Sequence, residues 1–230
     1  MALYVIGDLH LSLGTDKPMD VFGAGWDGYV EKLRKGFAHL TPDDVCVLCG
    51  DLSWARSFKE SVQDFRFISE LPGKKIILKG NHDHWWDTIV GMQRFFAENG
   101  FENIEILHNN CYYYGDKAIC GSRGWTLEDK LDVAHNKKIT RREAMRIGAS
   151  LKAAGDAKEK LCFLHYPPRY GRSVCGEIED VLLEYGVKRC WYGHIHGTGH
   201  RYAVQGVVNG IEYKMISADY IGFEPRKICD

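Results

Sequence analysis

Five apolar runs of the sequence each end in side chains that can bind metal ions or transfer protons. In chain order these side chains are Asp8 and His10, Asp51, Asn81 with His82 and Asp83, His165, and finally His194 and His196. Imidazole nitrogens suit zinc, iron and related transition metals, whereas carboxylate and amide oxygens suit harder ions such as manganese. One tetrahedral ion needs fewer ligands than this set can offer, which suits two ions that share one carboxylate.

The apolar runs are predicted to be buried strands, and three of them alternate with helices. Strands are predicted at residues 3–6, 45–49, 76–78, 161–164 and 189–192, and helices at 26–40, 55–71, 87–99 and 177–185. The β-α-β-α-β-α order of the first half favours parallel strands joined by crossover helices. Ligand sites in such sheets lie beyond the carboxyl ends of the strands, so we expect the polar residues to meet there. Asp8 and His10 are two residues apart, and in an extended segment their side chains would leave the same face.

The pattern changes after Gly100. Short, turn-separated strands are predicted at residues 104–107, 111–114 and 118–120, and a hairpin through Asn209-Gly210 is predicted from 202–208 and 211–217. These features favour a more antiparallel region. With no linker or internal repeat, the chain is interpreted as one domain over residues 1–230.

Residues 123–160 form a polar segment rich in Lys and Arg. The spacing of Ile147, Leu151 and Ala154 predicts a helix from about residue 140 to 154 with a thin apolar stripe. Such a segment is either a solvated surface helix or an insertion that caps the site and recognises substrate.

The composition excludes several classes of protein. The formal net charge is −1, so no global basic field favours nucleic acid or an anionic membrane. The sequence shows no secretory signal and no apolar run long enough to span a bilayer. Most of the eight cysteines lie in strand-like runs, where buried, reduced thiols are expected, and this predicts a cytoplasmic protein. Cys46 and Cys49 would face opposite sides of one strand, so they are not expected to share a zinc ion.

The order of the polar motifs resembles that of the calcineurin-like metallophosphoesterase superfamily. The motifs are D-x-H at Asp8 and His10, G-D at Gly50-Asp51, G-N-H-D at residues 80–83, the lone His165, and G-H-x-H at residues 193–196. Each motif alone is weak, but five in this order are specific. The resemblance implies an α/β fold, a four-layer αββα sandwich of two mixed β-sheets.

The resemblance also implies a role for each residue. Two ions, of Mn, Fe or Zn, would be held by seven ligands: Asp8, His10 and His196 on one, Asn81, His165 and His194 on the other, with Asp51 bridging. A hydroxide that bridges the ions would attack phosphorus in line. His82 would protonate the leaving oxygen, and Asp83 would orient the His82 imidazole.

Three further residues are weaker candidates for contacts with the substrate phosphate. His84, Arg123 and Arg169 follow strands or motifs, and a guanidinium suits bidentate binding of phosphate. The chain is most similar to the small predicted phosphohydrolases of the superfamily. Leu52 follows Gly50-Asp51, where the protein Ser/Thr phosphatases have D-R-G, so a protein substrate is not expected.

Three hypotheses about function follow. The first is a hydrolase of small phosphomonoesters or phosphodiesters, including nucleotides. The second is a nuclease, for which residues 137–146 with Lys152 and Lys158 are the candidate basic track. The third is a metal-binding interaction module without catalysis, which the complete ligand set disfavours. The oligomeric state stays open.

Overall fold

The computed structural model describes residues 1–17, 19–125 and 133–230. Two compact units are formed by the chain, one from residues 1–106 with 216–230 and the other from residues 107–215. Each unit is built on a mixed β-sheet with helices. The assignment of residues 1–230 to one domain stays a prediction.

The described residues form thirteen strands and five α-helices. The strands are β1 (Leu3–Ile6), β2 (Val45–Cys49), β3 (Lys74–Leu78), β4 (Ile104–Ile106), β5 (Tyr112–Tyr114), β6 (Lys117–Ser122), β7 (Glu159–Leu164), β8 (Arg169–Tyr170), β9 (Ser173–Val174), β10 (Arg189–Tyr192), β11 (Gly206–Val208), β12 (Ile211–Met215) and β13 (Arg226–Cys229). The helices are α1 (Tyr29–Phe37), α2 (Phe58–Glu70), α3 (Ile89–Asn99), α4 (Val133–Ala153) and α5 (Gly176–Glu184). Short 3₁₀ helices lie at Met19–Phe22, Ala24–Trp26 and Gly197–Tyr202.

The first unit contains a five-stranded sheet in the order β13-β1-β2-β3-β4. Strands β1 to β4 are parallel and β13 is antiparallel to β1, so the predicted alternation of strands and helices is confirmed. Local signals place the helix ends: the Ser57 side chain accepts the backbone N–H of Glu60 at the start of α2, and Gly100 ends α3. Phe65 and Ile68 are fully buried on the inner face of α2.

Parallel pairing brings the ends of β1, β2 and β3 to one edge of this sheet. The pairing continues past the strands, because Asp8 N donates to Gly50 O and His10 N donates to Asp51 O, both at 2.9 Å. The loops after β1 and β2 are therefore joined by backbone hydrogen bonds at the predicted metal ligands Asp8, His10 and Asp51.

The second unit contains a six-stranded sheet in the order β11-β12-β10-β7-β6-β5. The central strands β6, β7, β10 and β12 are parallel, and only the edge strands β5 and β11 are antiparallel to their neighbours. The hairpin through Asn209-Gly210 is confirmed, with φ of 51° and 79° at its two turn residues. The prediction of a more antiparallel region is confirmed at the pairs β5–β6 and β11–β12, whereas α4 and α5 provide the crossovers that the parallel central strands need.

Helix α4 is longer than predicted. It begins at Val133, about two turns before the predicted start, and it packs on β6 and α5. Ile147, Leu151 and Ala154 are fully buried, so the predicted apolar stripe packs into the core of its unit, while about half of the helix residues are exposed. Glu143 is also fully buried and accepts hydrogen bonds from Ser122 Oγ at 3.0 Å and Arg146 Nη1 at 2.8 Å. Residues 126–132 of the predicted insertion lie outside the described residues.

Two broader expectations concern thiols and membranes. Six of the eight cysteines are buried, as expected for small apolar side chains in strands. Among the described helices, none has the combination of length and apolar character that a membrane crossing requires.

Candidate active site

Four of the predicted metal ligands have a left-handed backbone conformation. Asp8, His10 and Asp51 have φ of 61°, 47° and 50°, and His194 has φ of 72°. Only three other non-glycine residues in the described part of the chain have positive φ. This conformation is uncommon and costs about 1–2 kcal/mol for a residue with a side chain, so its concentration at these residues supports a functional role.

Asp8, His10 and Asp51 form a buried group in the first unit. Asp8 is fully buried, and His10 and Asp51 are each 2% exposed. His10 Nε2 lies 3.7 Å from Asp51 Oδ2, and a ligand atom of Asp8 lies within 4.8 Å of one of His10. The extended geometry predicted for residues 8 and 10 is wrong, since both have positive φ, yet their ligand atoms still converge.

The electrostatics of this group fit a bound cation. Burial raises the pKa of Asp51 well above its ordinary value, and the nearby charges of Asp83 and Asp8 raise it further. Ionised carboxylates placed so close together in a buried site require a positive charge to offset them. Oxygen atoms from two carboxylates together with an imidazole nitrogen are a donor set that transition metals accept.

Asp83 organises the backbone of two loops. Its Oδ2 accepts from Gly80 N at 2.7 Å and Asp51 N at 2.9 Å. Its Oδ1 accepts from Leu52 N at 2.9 Å, Ser53 N at 3.3 Å and Trp85 Nε1 at 3.0 Å. A carboxylate has roughly four lone-pair sites, so these five donors already occupy the whole accepting capacity of Asp83. Asp83 therefore joins the loops after β2 and β3, and its predicted bond to the His82 imidazole stays a prediction.

His82 lies beside an aromatic residue that the sequence analysis did not identify. The half-buried His82 ring lies 4.2 Å from Trp54 and 5.8 Å from His10, measured between ring centroids. Trp54 also stacks on His10 at 5.0 Å. The sequence signal for Trp54 as a site residue is its position three residues after Asp51, in the loop that follows β2. The exposed His84 lies edge-on to His82 at 6.3 Å, and its contact with substrate stays a prediction.

The second unit brings together two of its predicted ligands. His165 is fully buried, whereas His194 and His196 are half-buried. The rings of His165 and His194 are 5.1 Å apart, and a ligand atom of one lies within 4.8 Å of one of the other. Gly193 N donates to His165 O at 3.0 Å, which couples the ends of β7 and β10.

Comparison with known families identifies this arrangement. The model of the calcineurin-like phosphoesterase family matches residues 1–198. The chain belongs to this family. It is therefore a hydrolase of phosphate esters, in a family whose members typically depend on metal ions.

Solved structures share the fold of this phosphoesterase. A protein of unknown function from Aquifex aeolicus is 16% identical, with a TM-score of 0.53 over 98% of this chain and 95% of that chain. The phosphopantetheinyl hydrolase of Mycobacterium tuberculosis is 13% identical, with a TM-score of 0.56 over 99% and 95%. A protein of Thermus thermophilus is 14% identical, with a TM-score of 0.57 over 99% and 97%. None of the curated proteins compared with the chain matches it.

Arg123 of the phosphoesterase lies next to one of the predicted ligands. Its carbonyl oxygen accepts the backbone N–H groups of His165 at 3.1 Å and Tyr166 at 2.8 Å. Its guanidinium carbon lies 5.4 Å from the Trp125 ring and 5.9 Å from the Tyr166 ring. Within the described residues, the buried Nε of Arg123 has no hydrogen-bond partner. The Arg123 Nη2 atom lies 3.9 Å from Glu143 Oε1, and a contact of Arg123 with the substrate phosphate stays a prediction.

Arg169 has a structural partner, and its predicted contact with the substrate phosphate stays a prediction. Its Nε and Nη2 donate to the two carboxylate oxygens of the buried Glu179, each at 2.5 Å. Glu179 also accepts from Tyr213 Oη at 2.9 Å and Asn209 Nδ2 at 3.2 Å. The Arg169 guanidinium is therefore part of a buried hydrogen-bond network that connects β8, α5 and β12.

Breaking this network should destabilise the protein without changing its chemistry. Arg169→Met leaves the Glu179 carboxylate buried and uncompensated, and we expect the free energy of unfolding to fall by about 3 kcal/mol. Urea denaturation measures this loss, and Arg169→Met/Glu179→Gln should recover part of it. Unchanged stability together with a raised KM would instead make Arg169 a substrate contact.

The same network predicts a pH dependence. The hydrogen bond from Arg169 lowers the pKa of Glu179 below its ordinary value of 4.5, and Tyr213 lowers it further. A lowered pKa in the folded state means that this stabilisation is complete above pH 4.5 and is lost as the pH falls through the lower value. Unfolding measured from pH 6 to about pH 3 should therefore show a steeper acid loss in the wild type than in Glu179→Gln. Equal slopes would contradict the assignment.

Gly80 allows the loop after β3 to approach Asp51. A Cβ atom at this position would lie 2.1 Å from Asp51 Oδ1 and 2.2 Å from Asp51 N. The same Asp51 Oδ1 accepts the backbone N–H of His82 at 2.7 Å. Any side chain at position 80 would push apart the loop that carries His82 and the loop that carries Asp51.

Gly80→Ala is consequently expected to impair both folding and activity. We expect a loss of about 3 kcal/mol in the free energy of unfolding, because buried backbone would have to move. Activity in the remaining folded protein should fall at least about tenfold, since a shift of 1 Å at a reacting group is costly. Gly25→Ala is the matched control, because no atom lies within 4 Å of its added Cβ. Equal behaviour of the two variants would contradict this role of Gly80.

Proposed function

We propose that this phosphoesterase holds two transition-metal ions and hydrolyses small phosphate esters. The ions would be Mn, Fe or Zn, held by Asp8, His10 and His196 and by Asn81, His165 and His194, with Asp51 shared by both. The observation that carries the proposal is the group of buried ligands with left-handed backbone at Asp8, His10 and Asp51. Repulsion between the buried carboxylates favours metal binding in the first unit.

The proposed chemistry divides between the metal ions and the chain. When bound, two such ions activate water for attack on phosphorus and offset charge on the phosphate oxygens. His82 would hold a proton on its imidazole and give it to the leaving oxygen. The hydrogen bond from His82 N to Asp51 Oδ1 would keep this proton donor at a fixed distance from the shared carboxylate. Arg123 would donate its Nε–H to a phosphate oxygen.

A small molecule is the proposed class of substrate. One protein with this fold is named a phosphopantetheinyl hydrolase, which supports hydrolysis of phosphate esters in general. Monoesters and diesters both remain open to this chemistry. The buried thiols agree with the cytoplasmic location that the sequence predicts.

The charges around α4 disfavour the alternative nuclease. Lys137, Arg141 and Lys152 line a groove of about 670 Å³, whose other wall on α5 carries the acidic residues Glu177, Asp180 and Glu184. Elsewhere on the candidate basic track, Arg146 is paired with Glu143 at 2.8 Å and Lys158 with Asp116 at 3.1 Å. An uninterrupted basic track would be needed to follow a nucleic-acid backbone.

Restoring single metals to stripped protein tests the proposal. The protein would be treated with chelator, reloaded with Mn²⁺, Fe²⁺ or Zn²⁺, and assayed with 4-nitrophenyl phosphate and bis-4-nitrophenyl phosphate. We expect no hydrolysis without metal and recovery with at least one ion, and the preferred ester gives the substrate class. Bound metal without hydrolysis of either ester would favour the non-catalytic module.

A further inference from the structure

Trp54 connects the predicted proton donor to a positive charge. Its ring contacts the rings of His82 and His10, with centroids at 4.2 Å and 5.0 Å. The Lys17 ammonium lies 3.2 Å from the Trp54 ring centroid, in a cation–π contact. Trp54 Nε1 donates to Met19 Sδ at 3.0 Å, which fixes the ring in the loop after β2. A lysine is thus held one aromatic ring away from His82.

A second cation lies near Lys17. Partial burial lowers the pKa of Lys17, and the positive charge of Arg56 lowers it further. Among the described residues, neither side chain forms an ion pair with a carboxylate. Glu60 accepts from the backbone N of Arg56 at 2.8 Å, a contact that leaves the guanidinium available. Two exposed cations that repel each other favour an anion between them.

We propose that Lys17 and Arg56, positioned by Trp54, bind a second phosphate group on the leaving-group side of the substrate. This inference rests on the proposed function. His82 is the proposed proton donor to the leaving oxygen, so a cation held on Trp54, one aromatic ring away from His82, lies on the side of the leaving group and not of the phosphorus that is attacked. Lys17 already covers the face of Trp54 that it contacts, and an aromatic base would have to displace it. An anion instead contacts both cations without displacing either one. The favoured substrate is therefore a bisphosphate, whose second phosphate supplies that anion.

Two esters that differ by one phosphate group test this subsite. Propane-1,3-diol monophosphate and its bisphosphate carry the same ester bond and differ only in the second phosphate. We expect the metal-loaded wild type to prefer the bisphosphate by at least about tenfold in kcat/KM, beyond the factor of about two from its two equivalent esters. In Lys17→Ala/Arg56→Ala this ratio should fall about tenfold, and Trp54→Leu should lower it by less. Lys59→Ala, an exposed lysine on α2, should keep the ratio of the wild type.

The outcomes separate the subsite from the proposed function. An unchanged ratio in the double variant, or an equal loss for both esters, would overturn the subsite. If the wild type hydrolyses neither ester, the proposed function fails for these substrates, and calorimetric binding of propane-1,3-diyl bisphosphonate to the metal-loaded protein decides the subsite. Weaker binding by the double variant than by the wild type and Lys59→Ala would support it, and equal binding would overturn it.

Discussion

Replacing Asp51 by Asn should abolish most of the phosphoesterase activity while leaving the fold intact. The neutral amide removes a charge that the proposed site uses to offset both metal ions, and we expect kcat/KM to fall by about 10³-fold. Asn has almost the same shape as Asp, and its amide oxygen can still accept the backbone N–H of His82. The loss of activity would therefore come from charge and not from a displaced loop.

The stability of metal-free Asp51→Asn should change in the opposite direction. Burial and the charges of Asp83 and Asp8 make ionised Asp51 unfavourable in the folded state without a cation. Removing that charge should raise the free energy of unfolding by about 1 kcal/mol, as at other sites where function opposes stability. Metal content and urea denaturation of metal-free protein measure the two effects. Asp43→Asn, at an exposed aspartate before β2, is the control. Full metal content with full activity in Asp51→Asn would rule out the shared carboxylate.

The approach of Asp8, His10 and Asp51 to one another could be predicted because the signal for each strand end is local. A β-branched run followed by Gly80-Asn81 indicates where a strand ends, and parallel pairing then brings such ends to one sheet edge. The backbone at Asp8 and His10 could not be predicted, because their positive φ depends on hydrogen bonds to Gly50 and Asp51, about forty residues away. Local sequence favours the extended form that was expected there.

Arg169 and Asp83 show a second limit of sequence analysis. Arg169 was assigned a role because it follows a strand, and Asp83 because it belongs to the G-N-H-D motif. Each makes contacts that depend on tertiary structure. Arg169 pairs with Glu179, which also binds Tyr213 at a separation of 34 residues, and Asp83 binds the loop that begins 32 residues earlier. Glu143 of helix α4 is a related example. This buried polar residue accepts hydrogen bonds that the composition of the segment does not reveal.

The second large effect concerns the proposed proton donor. His82→Ala removes the group that would protonate the leaving oxygen, and kcat should fall by about 10²–10⁴-fold for esters with poor leaving groups. Metal content should stay close to that of the wild type, because His82 is not among the proposed ligands. The ring contact with Trp54 is lost, so a moderate decrease in stability is also expected.

A comparison of leaving groups distinguishes proton donation from a structural role. Phenol is a much weaker acid than 4-nitrophenol, so phenyl phosphate depends more on a proton donor than 4-nitrophenyl phosphate does. We expect His82→Ala to lose far more activity on phenyl phosphate, and the high-pH limb of its pH–rate profile, where a proton donor loses its proton, to change. His39→Ala is the control, since His39 lies at Tyr4 and has no predicted role. An equal loss on both esters would mean that His82 positions the substrate or the loop, and that the leaving oxygen takes its proton from water.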